Sequence, residues 1–119
     1  MKGICRGTIL HRMFETTIPP KAKFFVVVGE DANRIVGYFF INSNINRYVQ
    51  RQRLLFDMQM PIKRNDYPFL AYDSFIGAHE LKTISKSTLS EELQSGDTTI
   101  KGRLTVVDMN RLLEAGRSS

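Results

Sequence analysis

The sequence predicts a domain of α+β class, mainly β, in which a small curled antiparallel sheet carries a short helix and a C-terminal helix. Three observations lead there. Residues 23–43, "KFFVVVGEDANRIVGYFFINS", are two β-rich apolar runs around a polar turn at Asp31, Ala32 and Asn33, the pattern of a hairpin. The run "FFVVV" does not alternate, which implies burial on both faces, as at the centre of a small barrel or beneath a helix. Helix start and stop signals gather in the last third of the chain. A length of 119 residues is one domain's worth, so residues 1–119 are read as a single unit. With 42% hydrophobic and 24% charged residues, the composition is that of a chain that folds rather than of a disordered one.

Along the chain, "RGTILHRMF" (6–14) reads as a first strand that ends in the loop "ETTIPPKAK", where two consecutive prolines stop any helix. The hairpin follows. Residues 42–67 carry Arg47, Arg51, Arg53, Lys63 and Arg64 among amides and Tyr48, with "LLFDMQM" (54–60) read as a strand between polar ends. In "DYPFLAYDSFIGAHELKTI" (66–84), "SFIGAHEL" and "KTI" read as a strand pair in which Gly77 permits a bulge or a close backbone approach. Phe69, Leu70, Phe75, Ile76, Leu81 and Ile84 are its candidate core or contact residues, and Ser74 bonds local backbone. "STLSEELQSG" has Thr88 and Glu91 at capping-box spacing, Leu89 and Leu93 one turn apart, and Gly96 as a stop. In the last helix Thr105 caps, Asp108 lies in the first turn, Val106, Met109, Leu112 and Leu113 form the apolar face, and Gly116 ends it.

Charge narrows the functional classes. The net charge is +5, but residues 1–65 hold 11 Lys and Arg against 4 Asp and Glu, while residues 66–119 hold 6 against 8. The first part is the place to seek a polyanion, which such a surface attracts by counterion release. Arginines, amides and a stacking ring in residues 42–67 are the side chains that single-stranded nucleic acid recognition uses; the plainer reading is a solvated loop and edge strand. Cys5 is the only cysteine, so no intrachain disulfide forms and a reducing, cytoplasmic setting is expected. The longest apolar run is far short of a membrane span, and the first residues have no apolar segment of signal-peptide length. His11 and His79, the only histidines, have no partner carboxylates at metal-ligand spacing, and "VVGED" lacks the continuation of a phosphate-binding loop. Either histidine suits acid–base work; on a strand, a structural role is the ordinary alternative.

The order of these pieces resembles the MazF/PemK family of toxin ribonucleases. "RGTI" at Arg6 resembles the family's opening strand, "KFFVVV" at Lys23 the strand after its first loop, and "FFINS" the strand that ends in its I-T-S turn. "YDSFIGAHELKTISKSTL" and "GRLTVVDMNRLLEA" resemble the family's later strands and terminal segment. The resemblance implies an SH3-like barrel acting as a homodimer, with no cofactor or metal, cleaving single-stranded RNA and held in check by an acidic antitoxin. The family's arginine falls on Lys23, or on Lys21 if the loop register slips, and its threonine on Asn42 or Ser43. Catalytic residues are thus expected at Lys23, Ser43 and His11, with RNA contacts at Lys21, Asn42, Asn44, Arg47, Arg51 and Arg53. A lysine neutralises phosphate but lacks the two-pronged guanidinium, so two other expectations stand beside catalysis: an inert RNA- or protein-binding relative, and a scaffold whose charge only solvates its surface.

Overall fold

In a computed structural model that describes residues 3–15, 19–43 and 47–117, the chain runs β1 (Thr8–Phe14), β2 (Lys21–Glu30), β3 (Ile35–Asn42), α1 (Arg47–Arg51), α2 (Arg53–Asp57) and β4 (Gln59–Ile62). A 3₁₀ turn at Arg64–Asp66 leads to β5 (Ser74–Gly77), β6 (Lys82–Ser85), α3 (Lys86–Ser95), β7 (Thr98–Arg103) and α4 (Val106–Arg117). The seven strands form one antiparallel sheet in the order β4-β5-β3-β2-β1-β7, with β6 also on β3. The class is therefore the expected one: mainly β, with a short helix and a C-terminal helix. None of the described helices is long and apolar enough to cross a membrane.

β2 and β3 form the expected hairpin. Asp31 organises its turn by accepting hydrogen bonds from the backbone N–H groups of Asn33 and Ile35, both at 2.9 Å. The unalternating run of β2 is buried on both faces. Val26, with Phe24 and Val28, joins a first core containing Ile9, Ile41, Met60, Tyr67, Ile76 and Leu112. Phe25 and Val27 join a second containing Leu10, Phe14, Val36, Tyr38 and Leu89. The sheet separates these cores and curls around the first. The segment after β4 reaches β7, where the Phe69 ring would stand 3.1 Å from a Cβ at Gly102. Register shifts leave one residue extra in β7, Lys101 opposite Ile9/Leu10, and one in β2, Val28 opposite Gly37/Tyr38, and bend these strands as bulges do.

Several elements differ from expectation for identifiable reasons. "LLFDMQM" is not a strand: Leu54 and Phe56 stay exposed in α2, and the sheet begins only at Gln59, where Met60 and Ile62 at period two enter the first core. β5 and β6 do not pair with each other. They share one side of β3, with β6 beside Ile35–Tyr38 and β5 beside Ile41 and Asn42. Leu81, between them, is exposed and lies over Gly37 instead of entering a core. Ser74 does bond local backbone, donating to the Tyr72 carbonyl at 2.9 Å. β7 was not anticipated, because "TTIKGR" is polar and mostly exposed, and its place is set by pairing with β1.

α3 starts three residues ahead of its sequence signal, whereas α4 starts at its signal but runs through Gly116 to Arg117 instead of ending there. Ser85, not Thr88, caps α3 by accepting from the Thr88 N–H at 3.2 Å, and Gly96 ends the helix in the left-handed region at φ 87°. Leu89 and Leu93 face the second core as expected. Thr105 caps α4, accepting from the Asp108 N–H at 3.1 Å. Asp108 itself takes the inward position of the first turn, so Val106, about 200° away around the helix, points outward. Met109 and Leu112 carry the apolar face.

Among the described residues, two ion pairs tie α3 to the sheet: Lys86 with Glu30 of β2, at 2.6 Å, and Glu92 with Arg12 of β1. The Arg12 guanidinium donates from Nε and Nη2 to both oxygens of Glu92, at 2.6 and 2.8 Å. This hydrogen bonding outweighs partial burial and holds the Glu92 carboxyl below its ordinary 4.5, with the Thr98 hydroxyl adding to the effect. A lowered folded-state value stabilises fully above the unfolded value and less as pH falls through the folded one. In thermal unfolding, wild type is therefore expected to exceed Glu92→Gln at neutral pH, with the gap narrowing as pH falls below 4.5. A gap that is constant with pH would show that the pair contributes nothing through its charge.

Candidate nucleic-acid interface

β2 enters and β3 leaves the sheet at the same end, and their register assembles a polar site there. Phe24 pairs with Ile41, so the next position along each ladder sets Lys23 opposite Asn42. The Lys23 ammonium donates to Asn42 Oδ1 at 2.6 Å and stands 4.1 Å from the centroid of the Phe40 ring, over its face. Burial is the main cause holding the Lys23 amine below its ordinary 10.5, with Lys21 and Lys82 repelling its charge and Glu80 acting the other way. Beside this pair lies a cavity of about 370 Å³ lined by Lys21, Lys23, Phe24, Asn42, Ser43 and Tyr72, among others. Tyr72 is 69% exposed, which leaves its ring open for stacking at the rim.

A larger cavity, about 650 Å³, lies between β1, β3 and α3. Its Arg12 is occupied by Glu92, and Glu15 and Asp97 also line it, so it is poorly suited to a polyanion.

Lys21, Lys23, Asn42 and Ser43 thus come together. His11 does not join them. It pairs with Phe24 while Arg12 pairs with Lys23, so strand alternation puts His11 and Lys23 on opposite faces. The His11 ring rests against Phe24 with centroids 4.6 Å apart; burial first, then the Lys101 charge, lowers its pKa below 6.5. Arg51 ends α1 and is exposed. Arg53, also exposed, opens α2 and lies 4.0 Å from Asp57. Neither lines the cavity. Arg47 begins α1, but its side chain, like all of Asn44, lies outside the described residues.

A second group, not foreseen as a site, adjoins the Lys23–Asn42 pair. The buried Gln59 amide donates to the Leu55 carbonyl at 3.0 Å, which fixes its NH₂ group toward His79 Nδ1, 2.7 Å away. Neutral His79 therefore accepts at Nδ1 and carries its proton on Nε2. Glu80 pairs with Lys82, and Lys82 lies 5.6 Å from the centroid of the Phe40 ring that also receives Lys23. The sequence signal for this group is Gly77. A Cβ there would stand 3.2 Å from His79 Cε1 and 3.3 Å from Asn42 Nδ2, closer than the ring and amide allow without shifting. The backbone of Gly77 is not left-handed, so only space restricts the position. Gly77→Ala is expected to cost about 1 kcal/mol in urea unfolding, overpacking outweighing the gain from a stiffer unfolded chain. It should also displace Asn42 from Lys23. Unchanged stability would show that the contact is slack.

The chain matches no protein-family model, and comparison with curated proteins gives no significant match.

Proposed function

We propose that this protein is a toxin-type, metal-independent endoribonuclease of the MazF/PemK kind, which binds single-stranded RNA in the cavity at the ends of β2 and β3. The observation that supports it is the convergence of Lys21, Lys23, Asn42 and Ser43 on one cavity with an exposed tyrosine at its rim, in the part of the chain that holds 11 basic against 4 acidic residues. In the reaction the ribose 2′-hydroxyl attacks the adjacent phosphorus as it loses its proton. The P–O5′ bond breaks and the leaving oxygen gains a proton, giving 2′,3′-cyclic phosphate and 5′-hydroxyl ends. The Lys23 ammonium and the Ser43 hydroxyl supply positive hydrogen bonding to the phosphorane oxygens. Asn42 holds the lysine in place. A cytoplasmic homodimer restrained by an acidic antitoxin segment completes the reading; a basic groove that receives RNA equally receives an acidic tail that folds on binding.

A second reading has its own support. The Lys23 ammonium is already engaged by Asn42 and Phe40 and lacks a second prong, which suits holding RNA without cutting it. Induced expression in a bacterial host, with primer extension on total RNA, separates the two. Growth arrest with discrete new 5′ ends, lost in Lys23→Ala, supports the ribonuclease. Intact RNA together with salt-dependent binding supports the second reading, and the absence of both excludes each.

A further inference from the structure

On the face of β1 and β2 opposite Lys23, three rings stand in a row. His11 lies 4.6 Å from Phe24, and Phe24 lies 5.4 Å from Phe69, centroid to centroid. Phe69 is fixed from behind, since its edge lies against the backbone of Gly102 on β7. His11 and Phe24 are only half-buried, although they sit at the centre of their strands' pairing. Among the described residues neither nitrogen of the His11 ring makes a hydrogen bond. Burial and the neighbouring Lys101 keep the ring uncharged near neutral pH, so it presents a flat π surface with a cation beside it. Phe24 is also a wall of the Lys21–Ser43 cavity, which makes the ring row and the cavity contiguous.

Resting on the RNA reading above, we infer that the His11–Phe24 pair is a base-stacking subsite that seats one nucleobase of a single-stranded RNA whose phosphate occupies the adjacent cavity. Stacking tolerates any base face and works beside cations that track the backbone, Lys101 on one side and Lys21 on the other. The subsite gives His11 a binding role in place of proton transfer, consistent with its position across the sheet from Lys23.

The test uses the intact protein and short single-stranded RNAs carrying 2-aminopurine at successive positions, whose fluorescence is quenched when that base stacks. Wild type should quench one position strongly. His11→Ala should lose that quenching and bind roughly tenfold more weakly, while His11→Phe keeps both. The salt dependence of affinity should be unchanged in His11→Ala and shallower in Lys21→Ala. Should His11→Ala fold poorly, an abasic site at the quenched position tests the same contact in wild type and should weaken binding to the same degree. Wild-type binding that is indifferent to His11→Ala, or to the abasic site, overturns the subsite and leaves the RNA reading intact. No binding by wild type overturns both.

Discussion

Lys23→Ala is expected to lower RNA cleavage by about two to three orders of magnitude, the size of effect seen when one preorganised donor to a developing oxyanion is removed. The substitution takes away the group that Asn42 Oδ1 binds among the described residues and the cation nearest the Phe40 face. The strand itself should persist, since Lys23 contributes to neither hydrophobic core and its ladder with β1 is made by the backbone. Fold and activity are therefore separable, and circular dichroism with a single-turnover cleavage assay reads both. The pH profile gives a second check. Because burial lowers the lysine below 10.5, activity that needs the charged form should decline on the alkaline side before an exposed lysine would lose its proton. A variant that cuts as fast as wild type would remove Lys23 from the chemistry.

Tyr67→Ala is expected to have the largest effect on stability. Tyr67 is 2% exposed in the first core, and its hydroxyl donates to Asp108 Oδ2 at 2.5 Å while accepting from the Thr105 N–H at 3.1 Å. One side chain thus fills the core under α4 and satisfies two polar groups at the start of that helix. Tyr67→Phe removes only the hydroxyl. Asp108, itself buried, keeps Arg111 at 2.9 Å, so the loss should be about 1–3 kcal/mol. Tyr67→Ala adds a cavity and should bring the loss to about 5 kcal/mol, enough to unfold a marginal domain. Urea midpoints for the two variants measure the hydroxyl and ring contributions separately. A Phe variant as stable as wild type would mean that α4 is held by its apolar stripe alone.

The sequence made legible those parts of the fold that depend on neighbours in the chain. The hairpin, the two-sided burial of "FFVVV", the Gly96 stop of α3 and the Thr105 cap of α4 follow from local pattern, whereas Thr88 and Gly116 do not mark helix ends. The strand β7 was hidden because a polar strand takes its place from its partner β1 rather than from its own residues. The reverse happened at Leu54 and Phe56, where apolar residues suggested a buried strand and the chain instead leaves them exposed on a short helix. The site divides in the same way. Lys23, Asn42 and Ser43 stand at positions that the family resemblance marked, and hairpin register is enough to bring them together. His79, Gln59 and Glu80 join them only because β5 and β4 stack beside β3, a tertiary fact whose one trace in the sequence is the small residue at Gly77.

The most direct measurement is cleavage of a 5′-labelled single-stranded RNA by the purified protein in the presence of a metal chelator, wild type beside Lys23→Ala. The account predicts discrete fragments ending in 2′,3′-cyclic phosphate from wild type and intact RNA from the variant. RNA left intact by both, or cut equally by both, would contradict it.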